Sequence, residues 1–313
     1  MRSKVLGIAA GLMVAGAVTG FSEAAASEYI DSQMLQTESA VPLEEGAVDV
    51  ELGVTYTKAN DGKRGSWSNN WSRSRRESFR MYEWTLAATM GIAPETDITL
   101  STGWVDLYDR GLGQTYTDGG GNHGRGMDDL TVALRHRLLE EGGTSVAYIP
   151  GMTIPTGRHS NEGRGRFGPG QKFWSLDQRI ALTQDLNEVV LNADVGYSLP
   201  FGRTRRSYMR DWGESTEYST ADRRSKDSSE RGVLDANAGV VFAEGPVRPL
   251  VELNYAHRWI SRGNDSDQIH ATIGSIIAIE DDLPRVKVGY QHPVAGRNAA
   301  RTRRFLLSMA YAF

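Results

Sequence analysis

The chain has 313 residues, a formal net charge of −4 and no cysteine. So small an acidic charge does not favour nucleic acid as a partner, and the absence of cysteine excludes a disulfide framework. Beyond the N-terminal region no stretch approaches the ~18 apolar residues that a transmembrane helix needs. A soluble exported protein and a membrane β-barrel both remain compatible with this composition, because half of each barrel strand faces a polar lumen.

The N-terminal region has the three parts of a secretory signal peptide. Arg2 and Lys4 form a short basic start, Val5–Gly20 is apolar, and Ala24–Ala26 precede Ser27 as a cleavage signature. We therefore predict that residues 1–26 are a signal peptide, which places the protein beyond the inner membrane of a Gram-negative bacterium. Residues 27–45 are polar, and we predict a periplasmic N-terminal tail that is disordered; the alternative is a small plug that threads into a lumen.

Residues 46–313 alternate between apolar and polar positions with a period of two. In the first segment, residues 46–58, apolar side chains occupy the even positions and small or polar ones the odd positions, which indicates a strand with two different faces. Eleven further segments share this pattern, around residues 82–92, 98–104, 130–138, 146–154, 174–182, 189–199, 234–242, 251–259, 269–279, 286–290 and 305–313.

The connections between these segments alternate between long and short. The long ones are predicted at residues 59–76, 109–126, 155–170, 200–231, 260–267 and 293–302. Long extracellular loops and short periplasmic turns are typical of outer-membrane barrels, whose strand number is even. The pattern therefore predicts an all-β fold, a transmembrane antiparallel up-and-down β-barrel of about twelve strands, with both chain ends in the periplasm.

Aromatic residues cluster near the ends of the predicted strands, as expected for a girdle at the two lipid–water interfaces. A soluble β-sandwich or lipocalin-like barrel is the alternative, but it would bury these rings inward, where Tyr and Trp need polar partners. The last residue, Phe313, resembles the C-terminal aromatic signal that the outer-membrane assembly machinery binds. The predicted girdle comprises Tyr56, Tyr82, Trp84, Trp104, Trp174, Tyr255, Trp259 and Tyr311.

Several short motifs in the centre of the chain are shared with a known family. Asp128–Arg137 is followed by Ile154–Gly157, by Phe173–Asp177 and by Asn192–Tyr197. Over residues 128–200 the chain resembles the outer-membrane transporters labelled "meta-pathway of phenol degradation", and the remainder resembles them in topology. The resemblance implies a barrel that admits small aromatic or hydrophobic molecules.

Alternation places the charged side chains of the strands on the face opposite to lipid. They are either the lining of an aqueous path for a small-molecule solute or a set of ion pairs that fills the lumen, and both readings stay open. The best candidates for binding a solute are Asp177 with Arg179, and Asp129 with Arg135 and Arg137. The predicted lumen residues are Glu51, Glu83, Asp129, Arg135, Arg137, Asp177, Arg179, Asp194, Asp235, Glu252, Arg285 and Lys287.

The favoured function is a passive channel for small molecules, with no enzyme activity, cofactor or metal site. Two alternatives remain. One is a lipid-modifying hydrolase that would use His159 and Ser160, although adjacent residues of a strand point to opposite faces. The other is a closed structural or adhesive barrel that acts through loops 59–76 and 201–231. Basic residues of these loops either contact phosphates of lipopolysaccharide in the surrounding membrane or are simply solvated.

Overall fold

The computed structural model describes residues 29, 32–62, 78–109, 122–157, 174–201, 230–260, 265–278, 283–297 and 299–313. Over these ranges the chain forms thirteen antiparallel strands, and no helix in them is long and apolar enough to cross a membrane. The strands are β1 Val48–Gly62, β2 Ser78–Ala93, β3 Thr96–Asp109, β4 Asn122–Met127, β5 Leu130–Glu141, β6 Thr144–Ile154, β7 Trp174–Asp185, β8 Val189–Phe201, β9 Glu230–Phe242, β10 Val247–Ile260, β11 Ser266–Ile277, β12 Arg285–Arg297 and β13 Ala300–Ala312.

The sheet closes on itself. Apart from β4 and β5, each strand pairs with its neighbours in the chain, and β1 pairs with both β2 and β13. The strands β4 and β5 both pair with β3 and occupy one position in the wall, which is interrupted at Asp128 and Asp129. The wall therefore has twelve strand positions, and the predicted twelve-stranded barrel is confirmed.

The outer surface of the barrel is apolar. Leu52 on β1 is 51 % exposed, and Ile273 on β11 is 59 % exposed, with many other large apolar side chains in the same state. A soluble barrel would turn these side chains inward, whereas a barrel in lipid covers them with acyl chains. The fold is that of an outer-membrane protein, and the soluble alternative is wrong.

The last predicted long connection, residues 293–302, is not a loop. The strand β12 continues to Arg297 and β13 begins at Ala300, so only residues 298–299 join them. The sequence obscures this because Pro293 lies at an irregular point of the ladder, where the register shifts between Ile269 and His270. A bulge tolerates proline and breaks the two-residue alternation on which the prediction depended.

The predicted periplasmic tail is also wrong over its described part. Residues 32–45, which we call the plug segment, lie inside the barrel against its inner face, in the half where β1 begins and β13 ends. The segment is not periodic, so nothing in its own pattern indicates a fold. Its order comes from contacts with wall residues far away in the sequence, which supply the partners that its backbone N–H and C=O groups need.

Candidate functional site

The plug segment is attached to the wall by side-chain acceptors that face the lumen. The Glu252 carboxylate accepts the backbone N–H groups of Gln36 and Thr37, at 2.9 and 2.8 Å. Asp194 accepts the N–H of Glu38 at 2.8 Å. Because these acceptors are carboxylates, the bonds belong to the stronger class of charge-assisted hydrogen bonds.

Two further acceptors continue this row towards the periplasmic end. The hydroxyl of Thr183 accepts the N–H of Ala40 at 2.8 Å, and the carboxylate of Asp97 accepts the N–H of Leu43 at 2.8 Å. All four of the acceptors named so far, from Glu252 to Asp97, lie on the inner face of different strands. The segment is therefore held on several sides of the lumen at once.

A buried arginine of the wall, Arg135, also binds the plug segment, but as a hydrogen-bond donor and not as an acceptor. Arg135 donates to the carbonyl of Val41 at 3.0 Å and lies 3.2 Å from Glu38 and 3.4 Å from Asp97. Its guanidinium also lies over the ring of Tyr29, 5.8 Å from the centroid. Burial raises the pKa of the Tyr29 phenol, so this ring stays neutral.

The plug segment also packs against apolar patches of the inner face. Met34 joins a buried cluster with Val241 and Leu250, and Ala40 joins another cluster with Ala147 and Ala181. These apolar contacts stabilise the plug segment in addition to the hydrogen bonds, because burying one large aliphatic side chain stabilises a fold by about 1.5–3 kcal/mol.

Glycines of the wall make room for this packing. A Cβ atom on Gly239 would lie 2.5 Å from the sulfur of Met34 and 3.3 Å from the hydroxyl of Thr37. A Cβ on Gly91 would overlap the carbonyl of Glu44. These positions accept the close approach of the segment only because they carry no side chain.

Several predicted lumen residues form one ion-pair cluster. Arg179 contacts Asp194, and it lies 2.7 Å from Asp235. Asn237 donates to Asp194 at 2.9 Å. Asp177, the predicted companion of Arg179, instead accepts hydrogen bonds from the hydroxyls of Thr153 and Ser175 at 3.3 Å each.

Two more predicted pairs lie where the two ends of the chain meet. Arg285 is 2.8 Å from Asp49, and Lys287 is 2.8 Å from Glu51. In each pair the base lies on β12 and the acid on β1, so the two pairs reach across the intervening strand β13 on the inner face. They strengthen the closure of the barrel.

The predicted group of Asp129, Arg135 and Arg137 is spread along the wall. Asp129 accepts the N–H of Gly157 at 2.8 Å, near the extracellular end. Arg137 contacts Glu95 and lies 2.7 Å from Glu140, at the periplasmic rim. The hydrogen bond from Arg137 lowers the pKa of Glu95, which stays ionised.

A cavity of 450 Å³ occupies the extracellular half of the lumen, beside the plug segment. Gln36 of the plug segment forms part of its boundary. The charges of the lining are of both signs, so the cavity has no single-signed field. The charged lining residues are Glu83, Asp128, Arg179, Asp235, Arg258 and Arg304.

The predicted girdle residues fall into two groups. Tyr82, Trp84, Trp104 and Trp174 are exposed on the outer surface. The others are half-buried: Tyr56 contacts Tyr82, Tyr255 donates to Asp267, Trp259 contacts Tyr197 and His257, and Tyr311 contacts Phe313. The backbone of Phe313 exchanges two hydrogen bonds with Val48, at 2.7 and 3.2 Å, so the C-terminal residue completes the seam with β1.

Sequence reasoning missed the polar partners of the plug segment. Asp97, Thr183 and Asn192 all bind the plug segment, yet none of them is among the residues predicted to line the lumen. Other predictions lie outside the described residues: His159, Ser160, and most of the loops 59–76 and 201–231.

Several solved outer-membrane proteins are similar to this chain at low sequence identity, and the first of them shares its fold. An outer membrane channel from Pseudomonas putida F1 has a TM-score of 0.65 at 12% identity, over 90% of this chain and 99% of that chain. The beta domain of the Bordetella autotransporter BrkA has a TM-score of 0.49 at 13% identity, over 86% and 100% of the two chains. The CymD monoaromatic hydrocarbon channel has a TM-score of 0.43 at 11% identity, over 86% and 88%.

A search of curated proteins finds no match. The family model described as "MetA-pathway of phenol degradation" matches residues 61–220, just over half of the chain. This outer-membrane β-barrel is therefore a member of that family.

Proposed function

We propose that this protein is a passive outer-membrane channel for small aromatic molecules that carry a polar group, and that the plug segment closes it at rest. The observation that carries the proposal is the 450 Å³ cavity in the extracellular half of the lumen, which meets the plug segment at Gln36. Ligand sites have volumes of about 300–1,000 Å³, so a single small aromatic molecule fits.

The lining supports a polar aromatic solute over a pure hydrocarbon. Arg179, Arg304 and Asn237 border the cavity, and a hydrocarbon would displace water from them without replacing its hydrogen bonds. A phenol hydroxyl or a carboxylate offers those bonds, and the family description names phenol degradation. The mixture of acids and bases argues against strong selectivity for ions of one sign.

The plug segment is the barrier to passage. Its attachments described above are hydrogen bonds, ion pairs and apolar contacts, which break without covalent chemistry. Displacement of residues 32–45 would join the cavity to the periplasm through the middle of the barrel.

The test is the conductance of the refolded mature protein in a planar lipid bilayer, with phenol, benzoate, toluene and glucose as competing solutes. We expect infrequent openings that phenol and benzoate block more strongly than toluene or glucose. A barrel that conducts but shows no difference between these solutes would contradict the proposed substrate class.

A closed structural barrel is the second candidate, and the ion-pair clusters of the lumen favour it. Conductance again separates the two candidates. A folded wild-type barrel that stays silent, together with silent variants in which the plug segment is loosened, would support the closed barrel and overturn the channel.

A further inference from the structure

We propose that the outer surface of the barrel carries a binding site for the phosphate groups of lipid A, the lipid anchor of lipopolysaccharide. The site is an arc of three cationic residues on neighbouring strands, which we call the rim arc: Arg80 on β2, Lys58 on β1 and Arg303 on β13. His292 on β12 lies beside Arg303 at the end of the arc. The proposal depends on the outer-membrane location and not on what passes through the lumen.

The ladder brings these side chains together. Lys58 is directly opposite Arg80 on one side and directly opposite Arg303 on the other. On the next strand, Gln291 is opposite Arg304, so His292 comes beside Arg303. Side chains at directly opposite positions of an antiparallel pair have their Cβ atoms about 4.5–5.5 Å apart.

The rim arc faces lipid rather than the lumen. Lys58, Arg80 and Arg303 lie two residues from Tyr56, Tyr82 and Phe305 respectively, and alternate residues of a strand share a face. Tyr82 and Phe305 are exposed on the outer surface, and Arg80 and Arg303 are exposed as well. The inner face at this level is formed by Thr57 and Arg304, which border the cavity.

An aromatic row marks the height of the arc in the membrane. The rings of Tyr56 and Tyr82 have centroids 4.9 Å apart, those of Tyr56 and Phe305 6.3 Å apart, and those of Tyr290 and Phe305 4.9 Å apart. Such rows lie at the boundary between acyl chains and headgroups. The rim arc lies one step further towards the extracellular ends of the strands, at the level of the headgroup phosphates.

The arc has an unfavourable charge arrangement that an anion would relieve. Like charges at directly opposite positions of a sheet destabilise it. Lys58, Arg80 and Arg303 make no ion pair with any residue among the described ranges, whereas another rim cation, Arg297, lies 2.8 Å from Asp267. The carboxylate nearest by register is Asp106, which is opposite Tyr82 and so lies at the edge of the arc.

A phosphorylated glycolipid of the outer leaflet fits this arrangement. The guanidinium groups of Arg80 and Arg303 suit bidentate contact with phosphate oxygens, and Lys58 between them supplies a compact charge. The acyl chains of the same molecule would cover the apolar surface below, where Leu52 and Leu307 are exposed. Charge and apolar surface therefore have the order of a lipid molecule, headgroup above and chains below.

The test measures binding of purified diphosphoryl lipid A to the full mature protein in detergent by native mass spectrometry. The variant is Lys58→Gln with Arg303→Gln, and the matched control is Arg297→Gln, which removes a rim cation that already has a carboxylate partner. We expect the double variant to bind at least about tenfold more weakly and the control to be unchanged.

A second readout uses thermal unfolding, for which the structure predicts a reversal of sign. Without lipid A, the double variant should unfold at a higher temperature than the wild type, because like charges have been removed. With lipid A, the wild type should be the more stable. Equal binding by wild type and double variant, or no reversal, would overturn the proposal.

The source of the phosphate is tested separately. Inorganic phosphate and phosphatidylglycerol are offered in place of lipid A. Weak binding of both supports a lipid A site. Displacement of lipid A by inorganic phosphate at similar concentration, or equal binding of phosphatidylglycerol, would overturn the commitment to lipid A.

Discussion

The carboxylate of Glu252, on β10, accepts the backbone N–H of Thr37 at 2.8 Å, and the same oxygen accepts the N–H of Gln36 at 2.9 Å. Glu252 is separated from Gln36 and Thr37 by more than two hundred positions in the chain. One side chain of the wall thus holds two consecutive amides of the plug segment, at the point where the segment borders the cavity.

Glu252→Ala is expected to loosen the plug segment and to raise the frequency of channel openings. A hydrogen bond to a charged group contributes about 1.5–3 kcal/mol, and this substitution removes two of them. Single-channel recording measures the openings, and hydrogen exchange at Gln36 and Thr37 measures the loosening. Glu252→Gln is the control because it keeps an acceptor oxygen, and it should remain mostly closed. Identical exchange rates in all three proteins would contradict this prediction.

Gly239→Val is expected to displace the plug segment by steric contact. Its new side chain would meet Met34 and Thr37, whose atoms lie within 3.3 Å of the position of a Cβ on Gly239. Conductance should rise and protection of residues 34–37 from hydrogen exchange should fall. Ala238→Val, one residue away and on the outer surface, adds the same kind of side chain towards lipid and should change neither.

Arg179→Met is expected to destabilise the barrel, because it leaves Asp194 and Asp235 without their shared cation. Removing one partner of a buried pair costs about 3–5 kcal/mol, and the partial exposure of Arg179 places the expected loss at the lower end. Urea unfolding in detergent or lipid measures it. Arg137→Gln is the comparison: its carboxylate partners are half-exposed at the rim, so the loss should be below about 1 kcal/mol. Equal losses would show that the lumen cluster is no more stabilising than a surface pair.

Arg304→Gln is expected to change the ion selectivity of the open channel. Arg304 borders the cavity together with Glu83, so its removal leaves the negative charge of Glu83 without that neighbour and should shift the reversal potential towards cation selectivity. The measurement requires openings, and it is best made in the Glu252→Ala background. Arg303→Gln changes the neighbouring residue on the outer surface and should leave the reversal potential where it was.

The wall of the barrel could be predicted from the sequence because alternation directly reports which way each side chain points. Residues 46–58, for example, separate into one apolar and one polar set, and β1 spans Val48–Gly62. Two connections were predicted wrongly. Strand β4 occupies Asn122–Met127, inside the predicted loop 109–126, and the final connection is short because Pro293 and the shifted register beside it interrupt the alternation.

The partners of the lumen charges could not be predicted in the same way. Asp177 is close to Arg179 in sequence, yet Arg179 contacts Asp194 and Asp235. The reason is the residue between them in the ladder: Arg179 is opposite Gly196, and Gly196 is opposite Asp235. A side chain on Gly196 would meet both charged groups within 3.0 Å, so the missing side chain is what lets the pair form. The position of Gly196 between the two charged residues depends on the register of strands β7, β8 and β9, and a single sequence does not specify that register.

The plug segment was missed for a related reason. Its amides are bound by Asp97, Thr183, Asp194 and Glu252, which belong to four different strands. No local pattern marks a segment whose conformation is imposed by distant acceptors. Apolar residues such as Met34, Val41 and Leu43 were a sign in the sequence that the region was more than a solvated tail, and all three are buried.

The plug segment runs directly into β1, and β1 is also the strand that pairs with the last strand, with Asp49 opposite Ala312. The plug segment and one strand of the closing pair are thus a single continuous piece of chain. The plug segment could enter a closed barrel only through one of its two open ends. A sheet that curls around the segment and then joins its two edges needs no such passage. We therefore expect that deletion of residues 32–45 would slow or prevent assembly of the barrel, and that this defect would appear before any increase in permeability.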